Sequence, residues 1–538
     1  MIGKISKWKD DGKYPEDLDE DERKEVAGQA GNIFKTYQKR LQELNACDFG
    51  DLLLHVMKIF RDHNDVLRLY QEQFKYIMVD EYQDTNGTQY LWLRLLALLR
   101  KNICVVGDDD QSIYSFRGAD ITNILNYEKN FPGAKVVKLE ENYRSISPIL
   151  ELANKVIVEN KNRRDKTLWS SKKSNFKPVL WAMGDTDHEA QVIIDEISQH
   201  QTKGKHLGDI AILYRSNTQN APFEEHLRMA QIPYTIIGGQ KFYDKKEVKD
   251  IMAYLAVILN PHDQMSLRRI LNVPNRGIGT RTLEKYLEVV EAEKISLYAA
   301  LDKYPDLDPK RKEHILKFTT LINKYKDRFS TTTLPQAIST MVEELDYYAF
   351  IAKSHDNPKQ VERRKNDIMF FIESAERFEK YNGDQASLKK FLEKLMLQDS
   401  QDNPDEEEDD DVRKNEVTLM TLHSSKGLEY DTVYMIGLEE EILPHKRSVI
   451  EGGDGVAEER RLCYVGITRA QSKIYMTYCK ERRVHGKDTV RFKSRFINEM
   501  EEQGFLIEQD RTTFGHMSEE EADEYKSNFF GSLMDCLD

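Results

Sequence analysis

Residues 74–85 read FKYIMVDEYQDT, and the fold turns on this stretch. A short run rich in apolar and aromatic residues runs straight into two carboxylates, Asp80 and Glu81. Such a run predicts a buried strand. In open α/β sheets ligands bind beyond the carboxyl ends of the strands. Adjacent residues leave a strand in opposite directions, so the two acids can serve separate tasks. Phosphoanhydride hydrolysis uses such a pair, one acid on a magnesium ion and one on the attacking water. Taken alone, the pair equally suits a solvated strand end.

Similar short runs follow at NICVVGD (102–108), AKVVKLE (134–140) and DIAILYRS (209–216), with helix-like stretches between them. EVTLMTLH (416–423), DTVYMIGL (431–438) and SKIYMTYC (472–479) complete the series. This alternation predicts an α/β fold with a mostly parallel sheet and helices on both faces. Residues 1–42 read as charged helix. Between about 241 and 400 strand signals vanish, and amphipathic patterns such as KKEVKDIMAYLAVIL and SLKKFLEKLML take over, as in a helical insertion. The expected architecture is therefore two α/β domains with an all-α domain inserted in the second.

The net charge of −14 argues against nucleic acid only until its distribution is seen. DNPDEEEDDD (402–411) holds eight acidic residues, without which the charge is −6, and SEEEADEY adds a second acidic cluster near the end. Blocks of this kind are solvated linkers and tails, and a protein can carry them and still present a basic groove. No apolar run reaches the ~18 residues a membrane span needs, and the first residues lack a secretory pattern. The five cysteines (Cys47, Cys104, Cys463, Cys479, Cys536) form no CxxC, which points away from a zinc site or disulfide framework and toward a reducing cytoplasm.

Other chemistry-bearing segments sit after the expected strands. VVGDDDQSIYSFRGAD places Gln111 where it can bond a phosphate or water, then sets Tyr114, Phe116 and Arg117 in a polar loop suited to stacking on bases. In LEENYRS, Tyr143 and Arg144 can bracket a nucleotide, ring on base and guanidinium on phosphate. MTLHSSKGLEYD sets His423, Lys426 and Glu429 around a turn expected to open a helix. In EERRLCYVGITRA, Leu462, Val465 and Arg469 are spaced to share one helical face, and an arginine on an apolar stripe needs an anionic partner. Bland alternatives exist for each: core aromatics, a plain strand–turn–helix, a cation near a helix end.

Together, DEYQDT, GDDDQSIYSFRGA, ENYRS, TLHSSKGLEYD and YVGITRA, in this order and spacing, resemble the UvrD/PcrA/Rep-type superfamily 1 DNA helicases, over roughly residues 1–508. The resemblance implies two RecA-like domains with helical insertions. Residues 1–42 would be a remnant of insertion 1B, 43–138 the C-terminal part of domain 1A, and 139–240 the first part of 2A. Insertion 2B would span 241–411, ending in the acidic linker, with 412–508 the second part of 2A and 509–538 an acidic, disordered tail. It also implies an ATP- and Mg2+-dependent motor moving 3′ to 5′ on single-stranded DNA and acting at single/double-strand junctions, in repair or replication, beside proteins of those processes.

By matching motif position, Asp80 would be the magnesium-side carboxylate and Glu81 the one activating water. Gln111 would couple the γ-phosphate to DNA, Arg144 and Arg469 would reach that phosphate, Tyr143 would stack on adenine, and Glu429 would lie near the ribose. Phe49, Tyr114, Phe116, Arg117, His423 and His445 fall where the family touches DNA, and Arg276, Gly277 and Gly279 resemble a duplex-contacting loop. Two departures stand out. Phe116 replaces a tryptophan common in relatives, and Gly50 replaces an acid in what is elsewhere DFDDL. A third is an absence: no G-x4-G-K-[ST] phosphate loop (Walker A) occurs, as though the chain began inside the first helical insertion. The chain alone is then expected to be inactive. Two other readings stand beside this one: half of a split helicase completed by a separate chain that supplies the loop, and a non-catalytic DNA- or partner-binding remnant.

Overall fold

Short β-rich runs bounded by polar turns do form the strands. The computed structural model describes all residues except 44–45, 240, 304–306, 356, 397–413, 485–486, 502–505 and 513–538. Its strands are β1 (Ile77–Val79), β2 (Ile103–Val105), β3 (Val179–Met183), β4 (Ile210–Tyr214), β5 (Tyr234–Ile237), β6 (Val417–Thr421), β7 (Tyr430–Met435), β8 (Ala470–Cys479), β9 (Glu481–Val484), β10 (Lys487–Val490) and β11 (Ile507–Asp510). Seven of them make one sheet in the order β11-β3-β8-β7-β4-β6-β5. The β4–β6, β5–β6 and β7–β8 pairs are parallel. β3 and β4 are buried along their whole length, which is why they read as unbroken apolar runs and not as alternating ones. The molecule is thus mixed α/β, built on a large parallel sheet.

The chain forms two compact units. One comprises Met1–Leu180, Ser425–Met476 and Lys493–Ile507, the other Trp181–Ser424, Thr477–Phe492 and Glu508–Asp538. In the first, β1 and β2 pair in parallel, with Val79 opposite Val105. Both strands therefore turn at one level, β1 into Asp80–Glu81 and β2 into Gly107–Asp108. One face of the pair packs on a small core of Tyr82, Leu93, Ile124 and Tyr127. The other face is open: Met78 is 80% exposed, and Tyr76 and Val106 are exposed beside it. AKVVKLE (134–140), expected as a strand, is not one; Val137 and Leu139 lie exposed, and the segment meets no pairing strand among the described residues.

In the second unit the stretch expected to be helical is helical, from Lys246–Leu259 through Leu388–Met396, and no strand interrupts it among the described residues. Its helices close on a large core that includes Tyr254, Tyr286, Phe318, Ile338 and Phe371. The acidic linker at 402–411 lies outside the described residues. Residues 509 and 510, assigned to the tail on sequence, belong to β11, where Gln509 accepts from Trp181 Nε1 (3.0 Å) and the following Arg511 stacks over the Trp181 ring. Among the described residues no helix is long and apolar enough to cross a membrane.

Buried titratable groups give this unit a pH signature. Burial pushes Glu224 up to about 7 and Asp195 up to about 6. His226 also rises: burial opposes its charge, but Asp187, 3.0 Å away, more than offsets that. The folded state therefore holds more protons than the unfolded chain between about pH 5 and 8, and stability falls as pH rises through that window. Asp187, held low against its burial by His226, adds stability that is present throughout this window and is lost only in stronger acid. Urea melts at pH 5.5 and 8.5 are expected to differ by on the order of 2 kcal/mol in favour of the lower pH, with Glu224→Gln flattening the difference. A flat profile in the unsubstituted chain would contradict these burial effects.

Candidate functional site

The carboxyl ends of β1 and β2 bring the first set of residues together in the first unit. Glu81 is exposed and adopts the left-handed conformation (φ 50°), which swings its carboxylate out of the strand line. Asp80, also exposed, accepts a hydrogen bond from the Glu81 amide on one carboxylate oxygen (2.8 Å). Among the described residues no group of three or more His, Cys, Asp and Glu side chains is placed to hold a metal. Asp80 and Glu81 are exposed carboxylates at this strand end, and a magnesium ion takes one or two carboxylates and otherwise water and phosphate oxygens.

Gln111 sits at the matching turn of β2. Its amide donates to Asp108 (2.8 Å), and its Oε1 accepts from Arg469 (3.4 Å). Beyond it, Tyr114 and Phe116 stand with ring centroids 6.0 Å apart, and the Arg117 guanidinium lies over both, 5.3 and 5.5 Å from the centroids. Phe116 is 65% exposed, so this aromatic–cation cluster faces solvent and not the core. Ser112 O accepts from Arg461 and Ser115 N donates to Glu458, which fixes the loop at both ends.

Tyr143 and Arg144 follow the bridge residue Glu141 in the first unit. Tyr143 is 71% exposed, with its hydroxyl on Glu141. Arg144 Nε donates to Glu429 (2.6 Å) and Nη1 to the Thr468 carbonyl, while the other Glu429 oxygen accepts from Gln471. Arg469 requires a correction. The helix Asp454–Ile467 ends before it, with Thr468 as cap, so Arg469 does not lie on the helical stripe with Leu462 and Val465. It is buried instead, donating to the carbonyls of Val465 and Leu428, to Thr468 Oγ1 and to Gln111. Burial, and next the neighbouring Arg144 charge, push its pKa down to about 10.

Gln83 and the basic residues among 163–166 join this site without a sequence signal, and Lys426, expected at the Ser-Ser-Lys-Gly turn, finds its partners here. Gln83, fully buried, ties the two turns together: its Nε2 donates to Glu81 (2.5 Å) and its Oε1 accepts from the Asp108 amide (2.9 Å). A side chain at Gly107 would collide with Gln83, so the glycine serves close approach. Lys426 reaches Glu81 (3.2 Å), Asp84 and the Gln111 carbonyl (2.9 Å). Its Ser-Ser-Lys-Gly segment opens no helix; a turn leads straight into β7. Asp108, Asp109 and Asp110 are all held by Lys166, at 2.7, 2.8 and 2.8 Å. Arg163 grips Asp110 with two hydrogen bonds (3.0 and 2.7 Å), and the Arg164 amide donates to Asp109. The run NRRDK (162–166) is legible as basic, but nothing local assigns it to the three aspartates.

The remaining predicted residues are dispersed. Phe49 opens the helix Phe49–Asp62 and is 92% exposed. His445 caps the helix Lys446–Glu451 and is exposed. In the second unit His423 follows β6 and is half-buried. Arg276 spends its guanidinium on the carbonyls of Ile270, Leu271 and Val273 and on Tyr254, bracing the loop from within. Gly277 (φ 72°) and Gly279, the N-cap of helix Thr280–Glu293, stay exposed.

Residues 1–132 match the UvrD/REP helicase N-terminal domain, and residues 137–481 match the UvrD-like helicase C-terminal domain. The ATP-dependent DNA helicase PcrA of Staphylococcus aureus (strain MRSA252) is 39% identical over 507 residues, covering 93% of this chain and 68% of the relative. The protein of the same name from Bacillus subtilis (strain 168) is 39% identical over 509 residues with the same coverage. Two family models in tandem, at this identity and coverage, establish that the chain belongs to the UvrD-like helicase family.

Proposed function

We infer that the chain is the motor part of a PcrA-like, ATP-dependent DNA helicase that moves 3′ to 5′ on single-stranded DNA and opens junctions in repair or replication. The observation that carries this reading is the convergence on Gln111. Arg469, buried and bonded to no carboxylate among the described residues, reaches its side chain, and Lys426, paired with Glu81, reaches its carbonyl. The solvent-facing Tyr114–Phe116–Arg117 cluster follows three to six residues later on the same loop. Nucleotide state and DNA contact are thereby joined in one segment.

In this reading Asp80 would hold a magnesium ion, which would supply charge stabilisation to the phosphate oxygens, and Glu81 orients the attacking water. Arg144 and Arg469 meet the γ-phosphate, Tyr143 covers the adenine, and Glu429 lies near the ribose. Phe49, Tyr114, Phe116, Arg117, His423 and His445 line the single strand. The exposed amides of Gly277 and Gly279, on the loop braced by Arg276, meet duplex phosphates. The same reading divides the chain into two RecA-like domains and two insertions, with the second RecA-like domain running on through β11 to Asp510.

The 538 residues contain no G-x4-G-K-[ST] run. That loop provides the amide cradle, the lysine on the β/γ-phosphates and the hydroxyl on magnesium, so turnover requires one from elsewhere. A second reading, in which a separate polypeptide supplies it, is favoured by the open apolar face of β1 and β2, where Tyr76 and Met78 are exposed. The test is ATP turnover and oligonucleotide binding by these residues alone and with a loop-bearing polypeptide added. Single-stranded DNA should bind in both cases, and DNA-stimulated turnover should appear only in the second. Stimulated turnover without the loop would overturn the requirement, and failure to bind DNA would overturn the helicase reading.

A further inference from the structure

The helix Phe49–Asp62 begins in an unusual setting. Its first residue, Phe49, projects almost wholly into solvent, yet the residues on either side are held by a buried cation. Lys9, 1% exposed, places its ammonium 2.7 Å from Asp48 Oδ2 and 2.8 Å from Asp51 Oδ1. Those two carboxylates are the N-cap and third residue of the helix, and each accepts the other's backbone amide in a capping box. Tyr37 donates to Asp48 and Gln38 to Asp51, both at 2.9 Å, so the second negative charge is also met by donors. The Lys9 ammonium lies over the Tyr37 ring as well.

Gly50 completes the arrangement. A Cβ built there would lie 2.9 Å from Lys9 Cδ and 3.0 Å from Lys9 Cβ, closer than side chains tolerate. The glycine that departs from the family's acid is thus the residue that admits the lysine stem, and Lys9 with Gly50 forms a matched pair directly under Phe49.

We propose that Lys9 is a positioning residue for single-stranded DNA binding: its clamp on Asp48 and Asp51 fixes the first helical turn so that the Phe49 ring is presented rigidly to a base. This rests on the reading that Phe49 contacts DNA. Lys9 acts through Phe49 and does not touch the phosphates, since its side chain is closed to solvent. Without the ammonium, two adjacent carboxylates face each other in a low-dielectric setting, the capping turn opens, and the ring loses its preset direction.

The experiment is a double-mutant cycle on the full chain, read by fluorescence anisotropy with labelled oligothymidylate across a salt series, with circular dichroism confirming the fold. Phe49→Ala should raise Kd about tenfold, the loss of one stacked base. Lys9→Met should raise it about fivefold alone and less than twofold in the Phe49→Ala background. The slope of log Kd on log salt should not change for Lys9→Met, whereas a lost phosphate contact would reduce it by about one. Gly50→Ala, which keeps the charge but displaces the stem, should follow Lys9→Met in direction, and is the deciding variant if Lys9→Met loses its native dichroism. If Phe49→Ala binds DNA normally, the DNA role of Phe49 falls. If Phe49→Ala weakens binding but the folded Lys9 or Gly50 variants do not, or their effects multiply with that of Phe49→Ala, the positioning role is overturned.

Discussion

Glu81→Gln is expected to cut DNA-stimulated ATP turnover by ~10²–10⁴-fold while leaving nucleotide binding intact, in the enzyme supplied with its phosphate loop. The residue is exposed at the end of β1, its backbone in the left-handed region and its carboxylate held by Gln83 and Lys426. Glutamine has the same shape and can still bond Gln83, but it cannot accept a proton from water. Lys426 keeps Asp84 as a partner, so the change does not leave a lysine unpaired. The fold and the binding surfaces should therefore survive, and the loss should fall on kcat, not on KM for ATP. Turnover within tenfold of the unsubstituted enzyme would reassign the water-activating acid. A parallel loss of ATP binding would mean Glu81 holds nucleotide and not water.

Much of this site was legible because its parts lie at strand ends. FKYIMVD, NICVVGD, DIAILYRS, EVTLMTLH, DTVYMIGL and SKIYMTYC each contain a strand, since a short apolar run bounded by polar turns has few other stable solutions. AKVVKLE has the same local signal and fails, because a strand also needs a neighbour to receive its backbone groups. β3, VLWAM, carries the same signal, a short apolar run between Pro178 and Gly184-Asp185, and belongs with the series although it is not among the runs singled out above. Arg469 falls off the helix expected to carry it, because periodicity continues past the residue where a cap stops the helix. The Lys166–aspartate cluster and the Gln83 bridge were not legible at all. Each joins segments tens of residues apart or hides a polar side chain inside a motif chosen for its acids, and no local pattern encodes such pairing.

Arg469→Met, the last expected result, separates catalysis from stability. The guanidinium is buried, bonded to carbonyls, a hydroxyl and an amide, and its pKa is pushed down to about 10 by burial and then by Arg144. A depressed pKa on a base means that the folded state pays for the charge at all pH values below about 10, and that cost eases only in strong alkali. Methionine removes the charge and roughly fills the space, giving up hydrogen bonds whose net contribution is about 1 kcal/mol each. These effects oppose one another, so the melting temperature should move by less than about 3 °C. An anion at the site would reverse the account: a γ-phosphate beside Arg469 and Arg144 supplies the missing counter-charge, and arginines so placed contribute ~10³–10⁵ to rate. DNA-stimulated turnover by the loop-completed enzyme should accordingly fall at least ~10³-fold. Lysine should not rescue it, because an ammonium cannot offer two parallel donors. Thermal melts and turnover of the Met and Lys variants decide the matter. A large drop in melting temperature would make Arg469 a structural residue, and retained turnover would remove it from the γ-phosphate.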